Sequence, residues 1–158
     1  MSFEKAKNHL EKYGFGDRVR TFDTSSATVA LAAQALGCDE AHLAKTLSFA
    51  VSEERTVLIV TAGDTKVNNG KFKSFFGVKA KMLSFEEVEA KIGHAVGGVC
   101  PFGVNDGVEV YLDESMKRFE KIFPACGSGN SAVELTIEEL EKCSEYKAWV
   151  DVVVLLGE

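Results

Sequence analysis

Apolar and polar positions along the chain follow two different periods. Phe3, Ala6, Leu10 and Tyr13 fall at helical spacing, and Gly14 with Gly16 marks where that helix stops. Residues 18–22 read as extended, and Asp23, Thr24, Ser25 and Ser26 offer caps for a second helix over 28–36 that ends at Gly37. Asp39 caps a short helical turn leading to Lys45. Two strand-like runs follow, 46–51 and 56–62, and Ser52, Glu53, Glu54 and Arg55 between them predict a hairpin. Residues 70–76 predict a short helix and 78–83 a strand, after which Ser84 and Glu87 form a capping box for a helix to Ile92. Strands are predicted at 108–112 and 119–123 around a helical turn at 114–118, and again at 132–136. Thr136 and Glu139 make a second capping box, for a helix to about Lys142, and 149–156 reads as a final strand.

Helix and strand alternate irregularly, with hairpin-length connections among the crossovers, and nothing repeats at a fixed period. This predicts an α/β or α+β fold, a single domain over 1–158 on a mixed sheet, not a regular βαβ array. At 46% hydrophobic residues, a 158-residue chain can bury a core without disulfides or a structural metal. Disorder, collagen-like repeats and coiled coil are excluded by composition. No apolar run approaches the roughly 18 residues of a membrane span. The first five residues mix charges and lack a signal-like stretch, so a cytoplasmic location is expected. Cys38, Cys100, Cys126 and Cys143 show no C-x-x-C spacing and read as free thiols.

Charge changes the picture in one place. The net charge is −6, yet residues 1–80 carry eleven basic and nine acidic side chains and residues 81–158 seven and fifteen. Lys66, Lys71, Lys73, Lys79 and Lys81 lie in a stretch with no acid. So acidic a chain is a poor partner for duplex DNA. The lysine stripe is either a solvated face or a local dock for a few phosphates.

Three segments are candidates for chemistry. Ala44-Lys45-Thr46-Leu47 embeds a lysine among apolar residues, either a site lysine or an edge-strand lysine whose stem packs while its head stays wet. The loop 95–103, with Gly97, Gly98 and Gly103 around Pro101, is either a tight bend or a backbone that a ligand can approach closely. The segment 125–132 matches G-x-G-x-x-A in form, but a strand follows it where a dinucleotide site needs a helix, leaving a polar glycine-rich loop suited to a small ligand. Cys38 and His42 lack a second ligand pair, so no zinc site is expected. His9 and His42 read as surface positions on helices, and Cys100 or Cys126 with His94 is a candidate thiolate–imidazole pair without an orienting third group.

Taken together, Ala44-Lys45-Thr46-Leu47, the loop 97–103 and Cys126-Gly127-Ser128-Gly129-Asn130 ahead of Val133-Glu134-Leu135 resemble the YbaK/EbsC family, relatives of the editing domain inserted in bacterial prolyl-tRNA synthetases. The resemblance runs from about Phe3 to Asp151. It implies a single domain with a mixed, partly barrel-like sheet surrounded by helices. It also implies a trans-editing aminoacyl-tRNA deacylase, a hydrolase of mischarged tRNA, with Cys- or Ala-tRNA(Pro) the obvious substrates and prolyl-tRNA synthetase a candidate partner. No cofactor is implied. Lys45 stands at the family's signature position and is given the anchoring of the terminal adenosine or of the substrate's polar groups. Backbone N–H groups at Gly97, Gly98, Gly127 and Gly129 are expected to hold the ester oxygen. Val99, Cys100, Pro101 and Phe102 shape the aminoacyl pocket, with Cys100 in place of the small polar residue expected there. Thr46, Ser128 and Asn130 orient substrate or water, and the five stripe lysines meet acceptor-stem phosphates. The alternatives are a non-catalytic module that binds aminoacyl-tRNA or a synthetase, and a cysteine-based hydrolase.

Overall fold

The computed structural model describes residues 2–21, 33–34, 36–94, 98–128 and 130–156. Four α-helices are found among them: α1 (Ser2–Glu11), α2 (Asn69–Phe76), α3 (Phe85–Ile92) and α4 (Ile137–Cys143). The strands are β1 (Val19–Thr21), β2 (Leu43–Ala50), β3 (Thr56–Ala62), β4 (Thr65–Val67), β5 (Glu109–Asp113), β6 (Lys121–Pro124), β7 (Ser131–Val133), β8 (Leu135–Thr136), β9 (Ala148–Val150) and β10 (Val153–Leu155). Six of them form a mixed sheet in the order β8-β6-β2-β3-β5-β9, while β1 pairs β7 and β10 pairs β4 as separate antiparallel ribbons. The result is a mixed α+β single domain on a curled, half-barrel sheet.

The predicted hairpin forms the middle of the sheet. Antiparallel register runs from Ala44↔Ala62 to Ala50↔Thr56. The outer edges of this hairpin take parallel partners, β6 against β2 and β5 against β3. Because β3 is central, it is buried on both faces, and its sequence is accordingly an almost unbroken apolar run. One face (Leu58, Val60, Val110, Leu112, Ile122) packs on Ala6 and Leu10 of α1, Val88 and Ile92 of α3, and Leu140 of α4. The other (Phe49, Val57, Ile59, Tyr111, Val150) packs on Phe72 of α2 and on Val152 and Val153. Full burial of a side chain such as Phe72 contributes about 1.5–3 kcal/mol.

Both capping boxes form, at Ser84/Glu87 and Thr136/Glu139. Most of the helix expected at 28–36 lies outside the described residues. Three strand expectations are corrected. Residues 78–83 make only an isolated bridge, Phe49↔Met82, in which the Ala50 N–H donates to the Lys81 carbonyl at 2.9 Å and the Leu83 N–H to the Ser48 carbonyl at 3.1 Å. The run 132–136 divides at Glu134 into β7 and β8, which belong to different sheets, and 149–156 divides at Asp151 and Val152 into β9 and β10. The second break is held by Asp113, whose Oδ2 accepts the Val152 N–H at 2.9 Å. β4 was not anticipated, and Lys45 is the third residue of a strand, not the junction between a helical turn and a strand.

Candidate functional site

Lys45 stands opposite Thr61 on the hairpin and follows the last pair between β2 and β6, Ala44↔Pro124, by one residue. The start of the glycine-rich loop therefore lies on the neighbouring strand, at the level of the lysine's own backbone. The lysine is half-buried and its ammonium donates to the Thr65 carbonyl. That carbonyl has a fixed place: Thr65 is wholly buried, and its hydroxyl donates to the Ala62 carbonyl at 2.8 Å and lies 3.1 Å from Thr61 Oγ1. The turn beneath it requires Gly63, since a Cβ there would sit 2.1 Å from the Glu40 carbonyl oxygen and 2.8 Å from that of Leu43.

Burial pushes the Lys45 pKa below the ordinary lysine value, and the charge on Asp64 opposes that shift. Asp64 is itself gripped by Arg118, at 2.6 and 3.0 Å, and this guanidinium holds its carboxyl below the usual carboxylate range. Among the described residues the ammonium has one hydrogen-bond acceptor, so two of its three donors are available to a ligand. A half-desolvated cation with free donors suits a phosphate, a carboxylate or a polarised carbonyl.

The two glycine loops meet. A Cβ on Gly98 would lie 2.5 Å from the Gly127 carbonyl carbon and 2.6 Å from the Ser128 nitrogen, so the backbones are in contact with no room for a side chain. The second loop is closed by the Ala125↔Ala132 bridge and pinned from inside by Ser131, whose hydroxyl reaches the Cys126 carbonyl at 3.1 Å and Ser128 Oγ at 2.6 Å. Ser128 also donates to Asn130 Oδ1 at 3.0 Å. Gly97 and Gly129 lie outside the described residues.

The remaining expected residues are distributed as follows. Thr46 is in register with Val60, on the sheet face opposite Lys45, and its Oγ1 is buried without a partner. Val99 is half-buried, while Cys100 and Phe102 are fully buried in the core beneath their loop. Pro101 borders a cleft of about 540 Å³ that also involves Lys5, His9, Lys12 and Asp106 and excludes Lys45. Lys66, Lys73, Lys79 and Lys81 are exposed; Lys71 instead donates to Asp151 and to the Val153 carbonyl, both at 3.0 Å.

The cysteine-based hydrolase is not supported. His94 Nε2 sits 2.6 Å from the Phe102 carbonyl, which can only accept, so that nitrogen carries the proton and cannot receive one from Cys100 at 3.6 Å. Burial raises the Cys100 pKa and pushes Cys126 and Cys143 up to about 12, whereas a nucleophilic cysteine needs its thiolate. The surface reading of two histidines is also corrected. His9 bonds the Cys143 carbonyl at 2.6 Å, and His42 stacks on Phe119 at 4.3 Å with its Nδ1 buried. Sequence reasoning missed Asp64, Thr65, Arg118 and Ser131. The Gly63-Asp64 turn signal after a predicted strand pointed to the first two; no local signal marks the others.

Among the described residues no His, Cys, Asp and Glu cluster could hold a metal ion, and no helix is long and apolar enough to cross a membrane. The family model of the aminoacyl-tRNA editing domain matches residues 23–143. The chain is 49% identical over 152 residues to the uncharacterized protein YwhH of Bacillus subtilis (strain 168), covering 96% of this chain and 97% of that one. It is 28% identical over 147 residues to the proline–tRNA ligase of Bacillus cytotoxicus, a match that takes in 90% of this chain and 24% of the ligase. The solved structure of a candidate trans-editing enzyme for prolyl-tRNA synthetase superposes with a TM-score of 0.85 at 30% identity, over 96% of both chains.

Proposed function

The chain belongs to the aminoacyl-tRNA editing domain family, and from that premise we propose that it acts in trans as a deacylase of mischarged tRNA, with tRNA(Pro) carrying cysteine, alanine or another small amino acid as substrate. The reaction is hydrolysis. Water adds to the ester carbonyl, the bond to the ribose oxygen of the terminal adenosine breaks, and the proton from water ends on that oxygen. A synthetase pocket gains only about 1–3 kcal/mol of discrimination per methylene, so a second site that removes mistakes serves fidelity. An aminoacyl ester is already activated, and positioning with carbonyl polarisation suffices without a covalent intermediate.

The observation that carries this reading is the half-buried Lys45 ammonium, seated on the Thr65 carbonyl one strand away from the Gly127 loop. In this reading Lys45 anchors the terminal adenosine or the substrate's polar groups. Backbone N–H groups of Gly97, Gly98, Gly127 and Gly129 polarise the ester, and Ser128 and Asn130 order substrate or water. Val99 to Phe102 set the pocket from their loop. The exposed Lys66, Lys73, Lys79 and Lys81 approach acceptor-stem phosphates, and Lys71 does so only by leaving Asp151.

The test is a panel of mischarged tRNAs incubated with the pure protein. Ester loss faster than in buffer, abolished by Lys45→Ala, is the expected result. Tight binding with an unchanged ester half-life would instead identify a non-catalytic module, and full activity in Lys45→Ala would remove the lysine from the site.

A further inference from the structure

The neighbourhood of Lys45 contains a second device. Asp64 directly precedes Thr65, whose carbonyl receives the ammonium, and its charge acts on Lys45. A free carboxylate at that spot would form an ion pair with a half-desolvated lysine, a stronger attachment than a surface pair. Asp64 is not free. Arg118 donates from Nη2 to Oδ1 at 2.6 Å and from Nη1 to Oδ2 at 3.0 Å, while its Nε donates to the Ser115 carbonyl at 2.8 Å. Its guanidinium also lies over the Phe119 ring, 4.7 Å from the centroid. Ser115 is in turn fastened to the end of β3 by the Ala62 N–H at 3.1 Å and to Asp113 Oδ1 at 2.8 Å. Both halves of the pair are thus mounted on the same strand end, and the fork is a geometry that a lysine cannot reproduce.

We propose that Arg118 is a positioning residue for Lys45: by occupying both carboxylate oxygens of Asp64 it prevents that acid from capturing the ammonium, which stays on the Thr65 carbonyl with donors left for a ligand. The other charged groups nearby are committed elsewhere or face outward. Lys66 on β4 and Glu40 ahead of β2 are exposed, Glu114 pairs with Lys117 at 3.5 Å, and His42 stacks on Phe119. The kinetic part of this proposal rests on the editing reading; the electrostatic part does not.

The experiment compares the full chain with Arg118→Met, Arg118→Lys and Arg118→Met/Asp64→Asn. Titration of the Lys45 side chain is followed by NMR and kcat/KM is measured on a mischarged tRNA. In Arg118→Met the Lys45 titration moves upward and kcat/KM falls, each by roughly ten-fold, the equivalent of one pKa unit. Removing the acid as well, in the double variant, brings both back toward the wild type. Arg118→Lys, which keeps the charge but loses the fork, shifts in the same direction as Arg118→Met and serves as the reading if the methionine variant does not fold. An unmoved titration in these variants, or a double variant as impaired as the single, would overturn the proposal and leave Arg118 a structural brace. If the titration moves as stated while the wild type hydrolyses no tested ester, the positioning role stands and the editing reading falls.

Discussion

Replacing Gly98 by alanine tests the contact between the two loops most directly. The added methyl would start 2.5 Å from the Gly127 carbonyl carbon and 2.6 Å from both its oxygen and the Ser128 nitrogen. All three are backbone atoms, so relief requires the loops to separate by nearly 1 Å to reach ordinary contact. Overpacking of this kind costs about 1–3 kcal/mol, which for a chain of this length lowers Tm by roughly 2–12 °C. A displacement of about 1 Å in a positioned site is worth about a hundred-fold in rate. Gly107→Ala is the control. That residue has φ +89° with nothing near its Cβ, so alanine there carries a conformational cost of about 1–2 kcal/mol and disturbs no loop contact. Thermal melts and deacylation assays on both variants, run well below either Tm, separate the two effects. Gly98→Ala should lose stability and activity, and Gly107→Ala stability alone. A Gly98→Ala protein with normal Tm and rate would refute the argument that the loops touch and that the touching positions the site.

Three further outcomes follow from the packing and the charges. Phe72→Ala removes the ring that stacks on Phe49 at 4.9 Å and on Phe76 at 4.6 Å, and should cost about 3–5 kcal/mol in denaturant melts; a loss under about 1 kcal/mol would mean that α2 is not held by this side chain. Thiol labelling of the native protein should modify Cys38 first and leave the fully buried Cys100, Cys126 and Cys143 unreacted, and Cys100→Ser should keep deacylase activity, whereas its complete inactivation would return the cysteine to the mechanism. Glu87 should titrate at about 2 by NMR, because the Ser84 backbone N–H and then Lys91 favour its charged form. Its folded value is depressed, so the stabilisation it gives α3 is fully present above the ordinary carboxylate value and disappears as pH falls toward 2; a normal titration would show the capping box open in solution.

Local signals carried much of the architecture. The helix caps at Ser84 and Thr136 were readable because each depends on two residues three apart, and the hairpin because a polar tetrad interrupts two strand-like runs. Alternation identifies a strand but not its partner, which is why 132–136 and 149–156 read as single strands although Glu134 and Asp151 stand where the chain changes sheets. β4 was hidden for a related reason: it is three residues long, one of them an exposed lysine, and is a strand only because β10 pairs with it. At the site, Lys45 and the two glycine loops stood out by composition. Their support did not, since Arg118 and Asp64 are 54 residues apart and no pattern connects them.

The pairing of β10 with β4 has a consequence for synthesis. Thr65, which supplies the carbonyl under Lys45, lies opposite Leu155, and the Leu156 N–H reaches the Asp64 carbonyl at 2.8 Å. A chain emerging from the ribosome therefore exposes an unpaired edge at β4 until β10 has been made. The carbonyl that receives the Lys45 ammonium should therefore take its fixed place only once β10 has docked on β4.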